Sequence, residues 1–406
     1  MYESNYSQLR LMAGTFTAQI LSFLSTIVIA NLMTPSLYGK YSISLIFLAS
    51  FMPITTKKVE IYLVNAKIEH VNAILKSTIN RIVTFSIIYG IVLCGIANSF
   101  WQMKFLEIVA YGLGIFFTNI IINLAVLAIS LSLRTRNFLS VAMSGIWQNG
   151  LTLIMQVFLL QFSTSIETLI YGYLFGRSFA LCIFFAWSDF RNTVKILLTS
   201  KNQIGNIEPK VRRDIYLASI LDQITLNSPL IIALFLNNQD LLGISSLALG
   251  IALAPATLII SGFSMPFLAL GNELYHEKKP HLRNNFLALS GLSSLYLLFT
   301  FLFSFMIADN IFGEKWIESV NLIQYFAIPI SAYVIISPYL QFKLGLGEVK
   351  TLRISNIGGI LGVGSFIIMF SGYPADLIVK LVLFGKVFGQ AIPLIANYVK
   401  GKKPKS

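Results

Sequence analysis

The chain has 406 residues, of which 56% are hydrophobic and only 12% charged, and its formal net charge is +13. A soluble domain carries about 25% charged residues, so a water-soluble core is excluded, and the alternating segments of about ten residues that mark a membrane β-barrel are missing. Helices of about 20 apolar residues, each long enough to cross about 30 Å of hydrocarbon while satisfying their own backbone, are the form this composition dictates.

In chain order, the first apolar run covers 11–33. It begins after Arg10 and lacks a small-residue cleavage site, so it reads as a retained helix rather than a signal peptide. Further runs follow near 41–56, 82–101, 105–131, 138–161 and 167–188, then near 215–236, 241–269, 286–308, 319–341, 352–371 and 374–398, which makes twelve predicted spans. The run at 41–56 is short. The longest polar stretch, 188–214, separates six spans from six. It divides the chain into an N-terminal lobe over 1–200 and a C-terminal lobe over 201–406, the latter ending in a basic tail over 399–406.

Charge placement sets the orientation. With the N-terminus inside, 24 of the 30 Lys and Arg residues fall in inward segments, and only Lys40, Lys104 and Lys315 fall outside. That asymmetry is the positive-inside rule, and it predicts both termini in the cytoplasm. It also removes a nucleic-acid partner, because the positive charge follows membrane topology rather than one patch. The basic tail is expected to contact anionic lipid.

The halves echo each other. Leu32 and Gly39 recur as Leu236 and Gly243 at equal spacing, each pair at the turn between the first and second spans of its half. Two parallel six-helix repeats are therefore expected, related by a pseudo-two-fold axis along the membrane normal with a cavity between them. Cys94 and Cys182 fall within spans and His70, His276 and His281 within loops, which gives no four-ligand metal site and no disulfide framework. Outer loops are short, the longest covering 309–319, so there is no extramembrane domain of carboxylates to activate a sugar. A transporter is expected rather than an enzyme.

Three segments resemble a known family. Leu32, Thr34, Pro35, Gly39 and Tyr41 match a Leu-Thr-Pro-x-x-x-Gly-x-Tyr turn after the first helix, with Met33 inserted; Lys58 and Glu60 match a basic-x-Glu loop after the second; and Phe312, Gly313 and Trp316 match a Phe-Gly-x-x-Trp loop before the tenth. The chain thereby resembles the polysaccharide-exporting branch of the multidrug/oligosaccharidyl-lipid/polysaccharide (MOP) superfamily, which includes Wzx-type O-antigen flippases. The resemblance implies a MATE-like all-α bundle in the bacterial inner membrane. It also implies translocation of an undecaprenyl-diphosphate-linked oligosaccharide, an O-antigen or capsule repeat unit, from the cytoplasmic to the outer leaflet by alternating access. Partners would be that lipid-linked substrate, membrane lipids, and the polymerase and chain-length machinery of the same route. No cofactor is implied beyond a proton or sodium gradient.

Charges inside spans are the functional pointers, because each costs a few kcal/mol or more unless it faces protein or water. Arg177 lies in the sixth span, Lys380 and Lys386 in the twelfth and Asp222 in the seventh. A diphosphate needs charge-assisted donors, so Arg177, Lys386, Lys380 and Gln390 are the expected substrate-binding residues; Lys386 and Gln390 share a helix face. Asp222 is the expected ion-coupling acid, and Lys58 with Glu60 a candidate gate. The plainer reading pairs Arg177 or Lys386 with Asp222 to hold helices together and lets Lys380 snorkel outward. Gln19, Asn119, Asn123, Gln148, Asn149, Gln156, Asn227 and Asn356 are candidates either for sugar contacts or for interhelical ties. Pro229, Pro255, Pro266, Pro329 and Pro338 are expected to kink their spans. The rivals are an ion-coupled drug or metabolite antiporter of the same superfamily, a membrane-embedded polysaccharide polymerase, and a non-transporting assembly scaffold.

Overall fold

The structure, a computed structural model, describes residues 2–59, 63, 68–135, 137–187, 209–277, 283–311 and 313–401. Among them the long elements are all α-helices: α1 (Tyr2–Leu32), α2 (Pro35–Thr56), α3 (Ile68–Trp101), α4 (Phe105–Arg134), α5 (Phe138–Leu160), α6 (Ile166–Trp187), α7 (Pro209–Leu226), α8 (Ser228–Phe235), α9 (Gln239–Glu277), α10 (Arg283–Ile311), α11 (Ile317–Gly345), α12 (Val349–Met369) and α13 (Ala375–Gly401). Among the described residues eleven are long and apolar enough to cross a membrane, and α7 with α8, counted together as one bent span, makes up to twelve.

That break is written in the sequence. Pro229 cannot donate a backbone N–H and disfavours helix in the residue before it, so the span stops at Asn227 and restarts with proline in the first turn of α8, where it is tolerated. The two pieces meet at 60°. The side chain of Asn227 donates to the Gln223 carbonyl at 2.9 Å, satisfying an acceptor near the break. Pro329 and Pro338, by contrast, sit inside the continuous α11, and Pro255 and Pro266 inside the continuous α9.

Several helices extend beyond the expected spans. The second span starts at Pro35 rather than 41, because Thr34 caps it, accepting from the Leu37 N–H at 3.4 Å, and proline takes the first helical position. The helix of the third span starts at Ile68 rather than 82. Gly39 and Gly243 consequently lie within α2 and α9 and not in turns. They serve close approach instead: a Cβ at Gly39 would meet the backbone of Gly243, and a Cβ at Gly243 would run into the carbonyl of Pro35.

Packing divides the chain into two units, Met1–Met33 with Lys40–Arg212, and Thr34–Gly39 with Arg213–Ser406. In the first, α3 packs on α4, α4 on α6, α5 on α6, and α1 on α5. In the second, α10 packs on α11, α11 on α13, and α12 on α13, with α9 also on α11. The pairings of third with fourth, fourth with sixth and fifth with sixth span thus recur in both units. In the second unit the Tyr38 ring meets the fully buried Trp316 edge-on at 5.6 Å, which brings together two of the three family-like segments. Gly313 adopts φ +68°, a left-handed turn into the short 3-10 helix that carries Trp316. Phe312 lies outside the described residues.

Small residues make the fifth–sixth pairing close. Gly172 and Gly176 of α6 lie against the backbones of Gln156 and Thr152 of α5. In the second unit Gly358 and Gly362 of α12 face Gly389 and Gly385 of α13, carbonyl against Cα. Association of helices in lipid depends on such packing because apolar burial adds nothing there. Gly389→Val should therefore lower stability by about 1–3 kcal/mol through overpacking. Thermal unfolding of the purified variant in detergent checks this, and an unshifted midpoint would show that the crossing has slack.

Candidate functional site

In the second unit the intramembrane acid and base meet. Asp222 on α7 accepts on Oδ1 from Lys386 Nζ at 2.8 Å and from Gln390 Nε2 at 3.1 Å, and on Oδ2 from the Tyr333 hydroxyl at 2.7 Å. Lys386 also donates to the Asp222 backbone carbonyl at 3.1 Å, and its ammonium lies 4.3 Å from the Tyr333 ring centroid. Gln390 donates from the same amide nitrogen to Asn356 Oδ1 at 2.7 Å, and Asn356 Nδ2 donates to the Ala218 carbonyl at 3.0 Å. Four helices are tied in this way. The local sequence explains it: the glycine crossing of α12 on α13 flanks Lys386 and Gln390, which stand one turn apart and reach the same carboxylate oxygen.

Exposure is unequal within the pair. The Lys386 side chain is 1% exposed and that of Asp222 is 21% exposed, so the acid is the reachable partner. Lys386 is not an open cation lining a passage. Its charge is cancelled where it stands, as the plainer reading had it, since a buried ammonium beside a carboxylate is stable only when paired. Gln390 Oε1 is buried and has no hydrogen-bond partner among the described residues, which leaves one acceptor of the network unused there.

The first unit is arranged differently. Arg177, near the middle of α6 and half-buried, donates from Nη1 to Gln148 Oε1 and from Nη2 to Asn149 Oδ1 at 3.3 Å, and lies over the Tyr173 ring at 5.0 Å. Asn149 Nδ2 donates to the Ala18 carbonyl on α1 at 2.6 Å. Arg177 Nε is buried without a partner among the described residues. Among the described residues no carboxylate pairs with this guanidinium; both its fixed partners are neutral amides. Gly176, adjacent in sequence, is what lets α5 approach closely enough for Gln148 and Asn149 to reach it.

The remaining candidates separate. Lys380 pairs with Asp376 one turn earlier at 2.9 Å, with side chains 25% and 53% exposed, and it sits over the Tyr325 ring at 5.5 Å; it is a cation near the start of its helix and apart from the Asp222 network. Lys58 follows α2 with φ +57°, next to Lys57 at +50°, a left-handed pair that ends the helix. Glu60 lies outside the described residues. Most polar candidates tie helices: Asn119 Nδ2 donates to Ser86 Oγ at 2.8 Å and Gln156 Nε2 to the Tyr41 hydroxyl at 2.5 Å, while Asn123 Nδ2 donates within its own helix to Asn119 Oδ1 at 3.0 Å. Tyr333 and the Arg177 amides are the residues that sequence reasoning did not place in these networks. An amide or hydroxyl in an apolar run carries no signal of which charge it will meet.

Among solved structures, the chain matches over 98% of its length 96% of an inward-facing multidrug resistance MATE family transporter of the MOP superfamily, with TM-score 0.63 and 15% identity. It matches over 96% of its length 87% of the lipid II flippase MurJ in an inward closed conformation, with TM-score 0.60 and 13% identity. A MATE protein in complex with MaL6 is matched over 98% of this chain and 95% of that one, with TM-score 0.65 and 15% identity. At these identities the likeness is one of fold. No family model and no curated protein sequence matches the chain.

Proposed function

We propose that this chain is an inner-membrane flippase that carries an undecaprenyl-diphosphate-linked oligosaccharide from the cytoplasmic to the outer leaflet by alternating access, with both termini in the cytoplasm. The observation that carries the reading is Arg177: a cation at mid-span held by Gln148 and Asn149, with no acid among the described residues to neutralise it. Such a charge is costly in a membrane unless something anionic completes it, and a guanidinium matches the two-oxygen face of a phosphate. The fold supports the reading, being that of proteins that move molecules across membranes, one of them a lipid flippase.

The antiporter reading needs a free intramembrane acid for cationic cargo, and Asp222 is already occupied by Lys386. The proposed energy source is an ion gradient; a sodium ion or proton acting at Asp222 would have to displace the Lys386 ammonium from it. In a deletion strain, lipid-linked oligosaccharide should accumulate on the inner leaflet and clear when the intact gene is restored, measured by mass spectrometry of leaflet-accessible lipid. Normal surface glycan in the deletion strain would sink the flippase reading and return the antiporter.

A further inference from the structure

In the second unit a broken helix ends beside a cation. Asp222 stands one turn before Leu226, the last residue of α7, and Pro229 makes the span restart as α8 at 60° to it. The last carbonyls of a helix carry partial negative charge, and the C-terminal ends of broken helices inside membranes are places where monovalent ions are coordinated. Here the group at that end is Lys386. Its ammonium meets the Asp222 carboxylate at 2.8 Å, the Asp222 main-chain carbonyl at 3.1 Å and the face of the Tyr333 ring at 4.3 Å. An ammonium has three donors and no acceptor, and these three partners account for all of them.

The same surroundings suit an alkali ion, which also binds carboxylate and carbonyl oxygens and aromatic faces. One carboxylate matches one monovalent charge; a divalent ion would call for more of them, and among the described residues no group of three or more His, Cys, Asp or Glu is placed to hold a metal. Gln390 adds an oxygen. It is fully buried, its amide nitrogen bonds Asp222, and its Oε1 has no partner among the described residues. The first unit has no counterpart: at the register set by Asn149 on Ala18 and Asn356 on Ala218, Ser22 stands for Asp222, Arg177 for Gln390 and Tyr173 for Lys386, and α1 runs unbroken to Leu32.

We infer that the end of α7 forms a monovalent-cation site walled by Asp222, Tyr333 and Gln390, and that Lys386 fills it as a tethered ammonium, so that an alkali ion binds there only when the lysine's charge is removed. The burial of the pair enforces this. Lys386 is 1% exposed, and a metal ion at Asp222 would strand its ammonium without the carboxylate that neutralises it. The 21% exposure of the Asp222 side chain marks the side from which an ion enters once the lysine is gone. The inference narrows the proposed energy source, since a metal ion finds its place at Asp222 already taken, and it does not depend on the cargo.

The test is thermal unfolding of the full-length protein in detergent, titrated with potassium chloride or sodium chloride against choline chloride at constant ionic strength. Wild type should unfold at the same midpoint in all three salts, within about 1 °C. Lys386→Met should be less stable in choline and should gain about 3 °C or more, saturably, with potassium or sodium, because an ion that binds only the folded state raises its midpoint. Adding Asp222→Asn to Lys386→Met should abolish that gain. Adding Gln390→Leu instead should weaken the ion's affinity about fivefold, as expected for the loss of one polar contact. If Lys386→Met folds in none of the salts, Lys386→Gln, whose amide donates to Asp222, takes its place in the titration. A lysine variant indifferent to the cation, or one whose gain survives Asp222→Asn, overturns the inference, and so does a wild type that an alkali ion stabilises to the same extent. Lipid-linked oligosaccharide in the deletion strain tests the flippase reading by itself, so the failure of either leaves the other standing.

Discussion

Asp222→Ala should lower stability by about 3–5 kcal/mol, the usual cost of leaving a buried charge without its partner. The reason is Lys386, 1% exposed, whose ammonium has Asp222 Oδ1 and the Asp222 carbonyl as its hydrogen-bond acceptors. The same substitution strands Tyr333 and one bond of Gln390, both of which donate to the lost carboxylate. Removing both charges together, as Asp222→Leu with Lys386→Met, should recover most of the loss, because an apolar pair of similar volume replaces an ion pair at little net cost. Thermal unfolding in detergent of the single and double variants reads the difference directly. A double variant as unstable as the single one would mean that the acid stabilises the unit by something other than neutralising Lys386.

Arg177→Gln should have the opposite profile, with export lost and fold kept. A charge-assisted hydrogen bond contributes about 1.5–3 kcal/mol, so losing a guanidinium that grips an anion should cut export about tenfold or more. Stability should move little, since the partners left behind are the neutral amides of Gln148 and Asn149 and, among the described residues, no acid is left unpaired. Arg177→Lys should restore part of the transport, a point charge replacing a two-pronged donor that bridges two side chains. Lipid-linked oligosaccharide accumulation in cells, read beside the melting temperature of each purified variant, separates the two effects. Normal export by Arg177→Gln would remove this residue from the cargo's route.

Much of the architecture was legible because the bilayer imposes a length and a polarity on every crossing segment. The apolar runs marked the spans, the 188–214 stretch marked the midpoint, and Pro229 marked a place where a helix cannot continue. The recurrence of Gly39 at Gly243 pointed to a repeat, although its use as a helix contact rather than a turn was not readable, since glycine serves both ends equally well. The start of α2 was missed for a related reason: hydropathy averages over a window and is blind to a cap such as Thr34.

The sequence by itself determined that charges sit at mid-span on the sixth, seventh and twelfth helices, because an apolar run makes each of them conspicuous. It also determined that Lys386 and Gln390 share a face, because helical periodicity is local. Which charge is cancelled was decided only by the tertiary structure. Arg177 and Lys386 look alike in sequence, each following a glycine in the last span of its half, and the single acid could have served either. The packing of α7 and α13 gives Asp222 to Lys386, and the packing of α5 on α6 gives Arg177 only amides. Pairing depends on distances between residues far apart in the chain, which periodicity and composition do not encode, and that is why one cation is cancelled by a carboxylate and the other is held by neutral amides.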